Sequence, residues 1–271
     1  MILYPNAKIN IGLNILSKRE DGFHELETLM YPIGLTDILT INRSENKYQS
    51  INFTTTGITI DGKPEDNLIV KAYNLIAQNY KLPVLDIHLH KSIPFGAGLG
   101  GGSADCAFAI KSINEYCKLN ISTAKMENIA SKLGSDCPFF INNKPAIAKG
   151  RGEILSSFKI NINQFHFVII IPPIPISTKQ AYSLVTPCNT NKNLESLLQK
   201  DTTGWKNYIK NDFEESVFPQ YPEIEKIKNT LYSMGAVYSS LSGSGSAVFG
   251  IFKNRPVLKD VFTKEYFIWQ D

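Results

Sequence analysis

Between Pro94 and Ala104 the chain reads Pro-Phe-Gly-Ala-Gly-Leu-Gly-Gly-Gly-Ser-Ala, with five glycines among the seven residues Gly96 to Gly102. Glycine adds no side chain to a core and loses the most backbone freedom on folding, so this density suits a place where backbone N–H groups must approach a ligand closely. Ser103-Ala104-Asp105 follows, with apolar Ala107, Ile110 and Ile113 at helical spacing. The glycines therefore lead into a helix N-terminus. Unpaired N–H groups and the positive end of the helix dipole make such a place an anion site, and the anion most often held this way is phosphate. Gly96, Gly98 and Gly101 match G-x-G-x-x-G, but Leu85 to His90 before them alternates apolar and polar, whereas a central parallel strand of a dinucleotide fold is apolar throughout. The acidic residue expected roughly 20 positions on is not evident. No Gly-Lys-Ser/Thr follows the glycines, which excludes the P-loop signature. A flexible turn is the bland alternative; the order strand, glycines, helix favours a phosphate cradle of a third kind.

Other residues with chemical potential are spread along the chain. Ala7 to Ile15 alternates without a break, with Lys8, Asn10, Gly12 and Asn14 on one face. That face reads equally as solvated or as the lining of a site. Phe23 and His24 follow an Asp21-Gly22 turn, where an aromatic can stack and an imidazole can hydrogen-bond, or both can be surface residues. Asp136, in Gly134-Ser135-Asp136-Cys137-Pro138, is either an aspartate bonded to its own turn or a carboxylate facing a site. Ser242-Gly243-Ser244-Gly245-Ser246 is a second loop rich in backbone donors and hydroxyls, or a flexible turn.

The elements that must carry these residues follow from pattern. Short strands are predicted around Ile38–Ile41, Ile51–Phe53, Ile58–Ile60 and Leu85–His90, with an Asp61-Gly62 turn between the last two. Asp66-Asn67 caps a helix to about Tyr80, the glycine loop opens one to about Lys118, and a third runs from near Ser122 to Gly134. Lys149-Gly150-Arg151-Gly152-Glu153 is a polar junction, and the domain boundary is placed there, giving 1–150 and 151–271. Beyond it come an apolar strand at Phe165–Ile171, a proline-stiffened connector, and a helix capped by Ser177-Thr178 and bearing Tyr182. A polar helical stretch follows over 189–218, then a helix from Tyr221 to Met234, then strand, loop and strand over 237–252.

The 271 residues, 43% hydrophobic and 20% charged, have ordinary globular composition. A net charge of +3 suits a small anionic ligand and is too weak for a nucleic-acid partner. Cys106, Cys117, Cys137 and Cys188 form no C-x-x-C pair and read as buried reduced thiols. Met1 to Pro5 lacks a secretory pattern, and the run Phe167–Ile171 is too short to span a bilayer. The expectation is a cytoplasmic protein with no membrane partner.

Three blocks stand in order: Pro5 with Ala7-Lys8-Ile9-Asn10, the loop Pro94–Ser103, and Gly243-Ser244-Gly245-Ser246-Ala247-Val248-Phe249. Together they resemble the GHMP kinases, the small-molecule kinases that include galactokinase, homoserine kinase, mevalonate kinase and phosphomevalonate kinase. Arg19–Leu26 followed by Thr28-Leu29-Met30, and Gly134–Phe140, narrow the resemblance to the branch whose acceptor is a polyol joined to cytidine diphosphate. The resemblance runs from about Tyr4 to Phe252. It implies an α+β, two-domain GHMP-kinase fold with the active site in the inter-domain cleft, residues 1–150 binding ATP and 151–271 forming the C-terminal GHMP-type domain. It implies transfer of phosphate from ATP, with Mg²⁺, to the 2-hydroxyl of the polyol on the non-mevalonate route to isoprenoids.

The resemblance also assigns residues. Pro94, Phe95, Gly96, Ala97, Gly98, Leu99, Gly100, Gly101, Gly102, Ser103 and Ala104 would wrap the ATP phosphates, with Ser103 near Mg²⁺. Asp136 would accept or orient the acceptor's hydroxyl proton, and Lys8 would place a cation beside it and offset charge on the moving phosphoryl group. Phosphoryl transfer is mostly positioning and electrostatics, so this small set suffices chemically. Asn10 would contact the acceptor, His24 would read the cytosine edge, and Phe23 and Tyr182 would sandwich its ring. Two departures are visible: the family often has Tyr where Phe23 stands and a second Ser where Ala104 stands. The Asp-Gly-Phe-His block argues against sibling kinases whose acceptors carry no base, and the presence of both Lys8 and Asp136 argues against a non-catalytic sensor.

Overall fold

The computed structural model describes residues 1–45, 51–187 and 193–271. Cys188 and residues 189–192 of the predicted helical stretch lie outside the described residues. The chain groups into two compact units, each discontinuous in sequence: Met1–Ala7, Gly34–Phe95 and Gly100–Lys144 in the first, and Lys8–Ile33, Gly96–Leu99 and Pro145–Asp271 in the second. The glycine loop thus changes unit twice in six residues, at Phe95/Gly96 and Leu99/Gly100.

The first unit holds a four-stranded sheet in the order β1 (Ile2–Leu3), β4 (Ile38–Arg43), β6 (Leu85–Lys91), β5 (Ile51–Gly57). β4 and β6 run antiparallel with Leu39 opposite Leu89 and Ile41 opposite Ile87, and these four side chains are buried. Alternate residues put Thr40 against His88 and Asn42 against Asp86, so the sheet has one apolar and one polar face, as its alternating sequence requires. Helix α1 (Leu68–Ala77), capped by Asn67 accepting the Ile69 N–H, buries Ile69, Ala72, Tyr73 and Ile76. It packs on α2 (Gly101–Tyr116), whose buried side is Ala104, Ala107, Ile110 and Ile113. The small residues of α2 let it lie close to its neighbours. Helices α3 (Thr123–Ser131) and α4 (Cys137–Asn142) complete the unit. The strand expected at Ile58–Ile60 does not form. β5 ends at Gly57 in the left-handed region (φ +82), where a Cβ would come within 2.2 Å of the Lys91 carbonyl oxygen. The predicted α2 ends two residues early, because Lys118 turns to φ 52 and Asn114 ties both backbone groups of Ile121.

The second unit has two sheets. One orders β2 (Asn6–Lys18), β3 (His24–Thr36), β7 (Ala146–Gly150) and β8 (Ile154–Ser157), although residues 6–7 of β2 and 34–36 of β3 group with the first unit. Both faces of β2 are buried: Ala7, Ile9 and Ile11 on one side, Lys8 and Asn10, each 3% exposed, on the other. The polar face is therefore a lining and not a solvated surface. Lys149–Glu153 forms the turn joining β7 to β8, with Lys149 opposite Ile154. The second sheet orders β10 (Tyr238–Leu241), β11 (Val248–Phe252), β9 (His166–Ile171) and β12 (Phe267–Gln270). Helices α5 (Thr178–Leu184), α6 (Leu194–Leu198), α7 (Phe213–Val217) and α8 (Pro222–Ser233) accompany it. Leu13, Ile15, Val168, Ile170, Phe213, Leu231, Leu241 and Phe252 share its core.

A short segment before α7 joins the two sheets of this unit. Leu13 makes a parallel bridge to Asn211, and Gly12 (φ +68) leaves room for it, since a Cβ there would stand 2.8 Å from the side chains of Ile209 and Leu194. The buried Asn211 amide donates to the carbonyls of Leu241 and Gly243, both at 2.8 Å, and its oxygen accepts the Phe213 N–H at 3.0 Å. It thereby fixes the start of the second glycine loop. Removing it strands two buried carbonyls and one N–H, so Asn211→Ala is expected to lower the unfolding free energy by about 2–4 kcal/mol. Urea denaturation checks this, and a loss under about 0.5 kcal/mol would show that water replaces the amide.

Candidate active site

The two glycine loops meet within the second unit. Ala97 O accepts the Ala247 N–H at 3.1 Å, and Leu99 O accepts the Lys8 N–H at 2.9 Å. Between them Gly98 has φ +81, and a Cβ at that position would lie 2.0 Å from the Ser242 carbonyl oxygen. No side chain fits there. The Gly98 carbonyl points at two donors, the Lys8 ammonium at 2.9 Å and the Ser242 hydroxyl at 3.0 Å. Lys8 Nζ also donates to Asn10 Oδ1 at 2.7 Å. Asn10 Nδ2 donates to Thr28 Oγ1 at 3.2 Å, and Thr28 donates on to Gly12 O at 2.5 Å, which orients the Asn10 amide. Four elements, β2, β3 and the two glycine loops, thus share one buried network. Its cation sits in a poorly solvated place, where a charge acts on a neighbouring anion far more strongly than in water.

The aromatic residues also lie in the second unit. The His24 and Tyr182 rings stack with centroids 4.9 Å apart and planes 19° from parallel, and Tyr182 meets Phe213 edge-on at 4.8 Å. The Arg151 guanidinium lies over the Phe23 ring at 4.9 Å, and Phe23 is 52% exposed. So His24 and Tyr182 come together face to face, while Phe23 offers an open ring under a cation. Burial, aided by the positive charge of Lys18, holds the His24 imidazole below its ordinary pKa and so favours the neutral ring with one donor and one acceptor nitrogen.

The first unit supplies the ends of the glycine loop and Asp136. Gly100, at φ +71, turns the chain into α2, and the Ala104 N–H closes the first turn onto Gly100 O at 2.9 Å. The preceding helical N–H groups have no partner within the helix. Asp136 occupies the position before α4 with helical backbone angles, and its side chain does not cap that helix. Next to it the buried Cys137 thiol hydrogen-bonds Cys106 and Ser103 and is shifted down, while the Cys106 thiol is shifted up. Cys106, Cys117 and Cys137 are free thiols, as expected, although Cys117 is only partly buried. A cavity of about 270 Å³ opens in this unit between the apolar side chains of Phe53, Ile60, Pro64, Leu68 and Phe95, with Lys91 and Asp105 among its polar walls. Burial raises the Asp105 carboxyl to about 8, although the Lys91 ammonium opposes the shift.

Several of these residues escape pattern reading. Thr28, Asp37, Lys91, Asp105, Asn211 and Ser242 are buried polar groups whose partners are distant in sequence. For Asp105 and Ser242 a signal existed, since each belongs to a glycine-rich block. For Asp37, in Leu35-Thr36-Asp37-Ile38, there was none. Among the described residues no group of three His, Cys, Asp or Glu side chains could hold a metal ion.

Comparison with known proteins gives concordant findings. Residues 67–144 match the family described as GHMP kinases N terminal domain, and residues 191–264 match GHMP kinases C terminal. A 4-diphosphocytidyl-2-C-methyl-D-erythritol kinase of Parabacteroides distasonis is 46% identical over 271 residues, covering 100% of this chain and 98% of that protein. The protein of that name from Bacteroides fragilis is 49% identical over 252 residues, with 93% and 92% covered. A crystal structure of 4-(cytidine 5'-diphospho)-2C-methyl-D-erythritol kinase superposes with a TM-score of 0.80 at 29% identity, covering 93% of this chain and 90% of that one. The mevalonate kinase of Methanococcus jannaschii, at 12% identity and a TM-score of 0.72 over 100% and 97% of the two chains, shares the fold. The stacked His24 yields a prediction that needs no ligand. Tyr182→Ala removes its apolar cover, so the His24 titration midpoint, followed by NMR, moves up toward the ordinary value of 6.5. An unchanged midpoint would mean that Tyr182 does not provide the burial.

Proposed function

The chain belongs to the 4-diphosphocytidyl-2-C-methyl-D-erythritol kinases, within the GHMP kinases, and from this we propose that it phosphorylates the 2-hydroxyl of that cytidyl polyol with ATP. It is a phosphotransferase with an alcohol acceptor, serving the non-mevalonate route to isoprenoid precursors. The observation that carries the reading is the Lys8 ammonium built into the glycine loop, 2.9 Å from Gly98 O. A cation fixed at a loop of backbone donors is what a transferring phosphoryl group requires.

Residues 94–104 cradle the ATP phosphates, with the N-terminal N–H groups of α2 as donors. The first-unit cavity takes the adenine, whose ring suits its apolar walls. The Ser103 hydroxyl would stand beside a Mg²⁺ ion carried by the ATP phosphates, and such an ion would offset part of their charge. Asn10 and His24 hydrogen-bond the acceptor, and Phe23 and Tyr182 offer ring faces to its cytosine. Such a place for the base requires the His24–Tyr182 stack to open or the base to extend it. In the chemical step the acceptor oxygen forms a bond to the γ-phosphorus, the bond to the bridging oxygen of ADP breaks, and the hydroxyl proton passes toward Asp136. Lys8 offsets charge on the phosphoryl oxygens. Along the sequence, residues 1–150 supply the ATP-binding part and 151–271 the C-terminal GHMP-type part. The proposed setting is the cytoplasm, where ATP is abundant.

The test is ADP release with ATP and Mg²⁺ against diphosphocytidyl methylerythritol, mevalonate, phosphomevalonate, homoserine and galactose. Turnover is expected on the first alone; turnover on another would discard the roles of Phe23, His24 and Tyr182. Asp136→Ala is expected to lower kcat by about 10²–10⁴-fold while calorimetry still detects ATP. Near-normal turnover would remove Asp136 from the mechanism.

A further inference from the structure

A buried cluster lies against Gly101 at the start of α2, and its central carboxylate, Asp37, has been given no role above. Asp37 is fully buried between β3 and β4. Its Oδ1 accepts the backbone N–H groups of Ser92 at 2.6 Å and Ile93 at 2.8 Å, the first two residues after β6. Its Oδ2 pairs with the Lys91 ammonium, and Lys91 donates again to Asp105 Oδ2 at 2.9 Å, one turn into α2. Lys91 Nζ also sits where a Cβ on Gly101 would approach within 2.9 Å, so the cation packs against the first residue of that helix. One carboxylate therefore holds the entry to the loop directly and its exit through one ammonium.

We propose that Asp37 is a positioning residue for ATP, setting through Lys91 and Asp105 the relative placement of the two ends of the phosphate loop. A buried ion pair with a second carboxyl beside it is a poor way to gain stability, because desolvation consumes most of the attraction. They do fix direction. Asp37 is not among the residues lining the cavity, whereas Lys91 and Asp105 are, so its influence on the nucleotide passes through those two side chains and the loop ends they hold. Displacing a set of donors by about 1 Å can cost about 10²-fold in rate. The phosphate loop carries ATP, so the effect should fall on ATP more than on the acceptor. The proposal rests on the kinase reading above.

Asp37→Asn keeps the shape and an oxygen for the Ser92 and Ile93 N–H groups but removes the anion facing Lys91. The expected result is a rise of about tenfold in the KM and calorimetric Kd for ATP, with the acceptor KM within about twofold. Asp105→Asn should move ATP in the same direction, by less. In the unaltered protein, NMR hydrogen exchange should show the Ser92 and Ile93 amides protected as well as the amides inside β6. The proposal is overturned if folded Asp37→Asn binds ATP within twofold of normal, or if both KM values rise together with a lowered Tm, the mark of a merely structural role. Should Asp37→Asn not fold, Asp105→Asn and the exchange rates decide, and rapid exchange at Ser92 and Ile93 overturns the clamp. If the unaltered enzyme turns over none of the panel, the kinase reading fails, while the exchange measurement still judges the clamp on its own.

Discussion

At position 98 two stretches of backbone come closer than any side chain allows. Gly98 sits against the Ser242 carbonyl, and the loops on either side, one at the start of α2 and one between β10 and β11, are shaped by that approach. The contact turns the Gly98 carbonyl toward Lys8 and Ser242, which brings the ammonium of β2 into the loop and aligns Asn10 behind it. Asn211 holds the second loop from below, so the contact has a fixed partner. A cation and a row of backbone donors are thus set before any ligand arrives. Preorganised polar groups of this kind are the main source of rate in phosphoryl transfer.

Burying charge is the recurring cost of this design. Lys8, Asp37 and Lys91 are all nearly inaccessible, and Glu214 is buried against Lys228, the Ser240 hydroxyl and the Leu241 N–H. Apolar packing at most of these places would stabilise the fold at least as well. What ionic and amide groups add is orientation, because each has few acceptable partner directions. Their location beside the two glycine loops, and not scattered through the cores, fits that role.

Much of the candidate site was legible in the sequence. The loop declared itself by glycine density and by the helix after it, and Lys8 and Asn10 by their place on an alternating strand whose polar face carries almost no charge. Ser242–Ser246 was visible as a loop between strands. Other features left no local trace. β3 escaped notice because Glu25, Glu27 and Pro32 interrupt its apolar pattern, although β2 and β7 pair with it on both sides. β12 is four residues long and exists because β9 offers it an edge. The interleaving of the two units arises from packing between distant segments, such as Gly96–Leu99 with Ser242–Ala247, and a division of the chain at 150 describes stretches of sequence and not packed bodies. Asp37 shows the limit most clearly, since a buried carboxylate between two strands looks in sequence like any strand-end aspartate.

The most direct test of this account is the kinetics of Gly98→Ala. Both the left-handed backbone and the 2.0 Å approach to Ser242 O oppose a methyl group there, so the two loops must separate. The account predicts a folded protein whose kcat/KM for ATP falls by about 10²-fold, with calorimetric ATP binding weakened in parallel. A Gly98→Ala enzyme that keeps near-normal kcat/KM for ATP would show that the loop's shape does not depend on this contact.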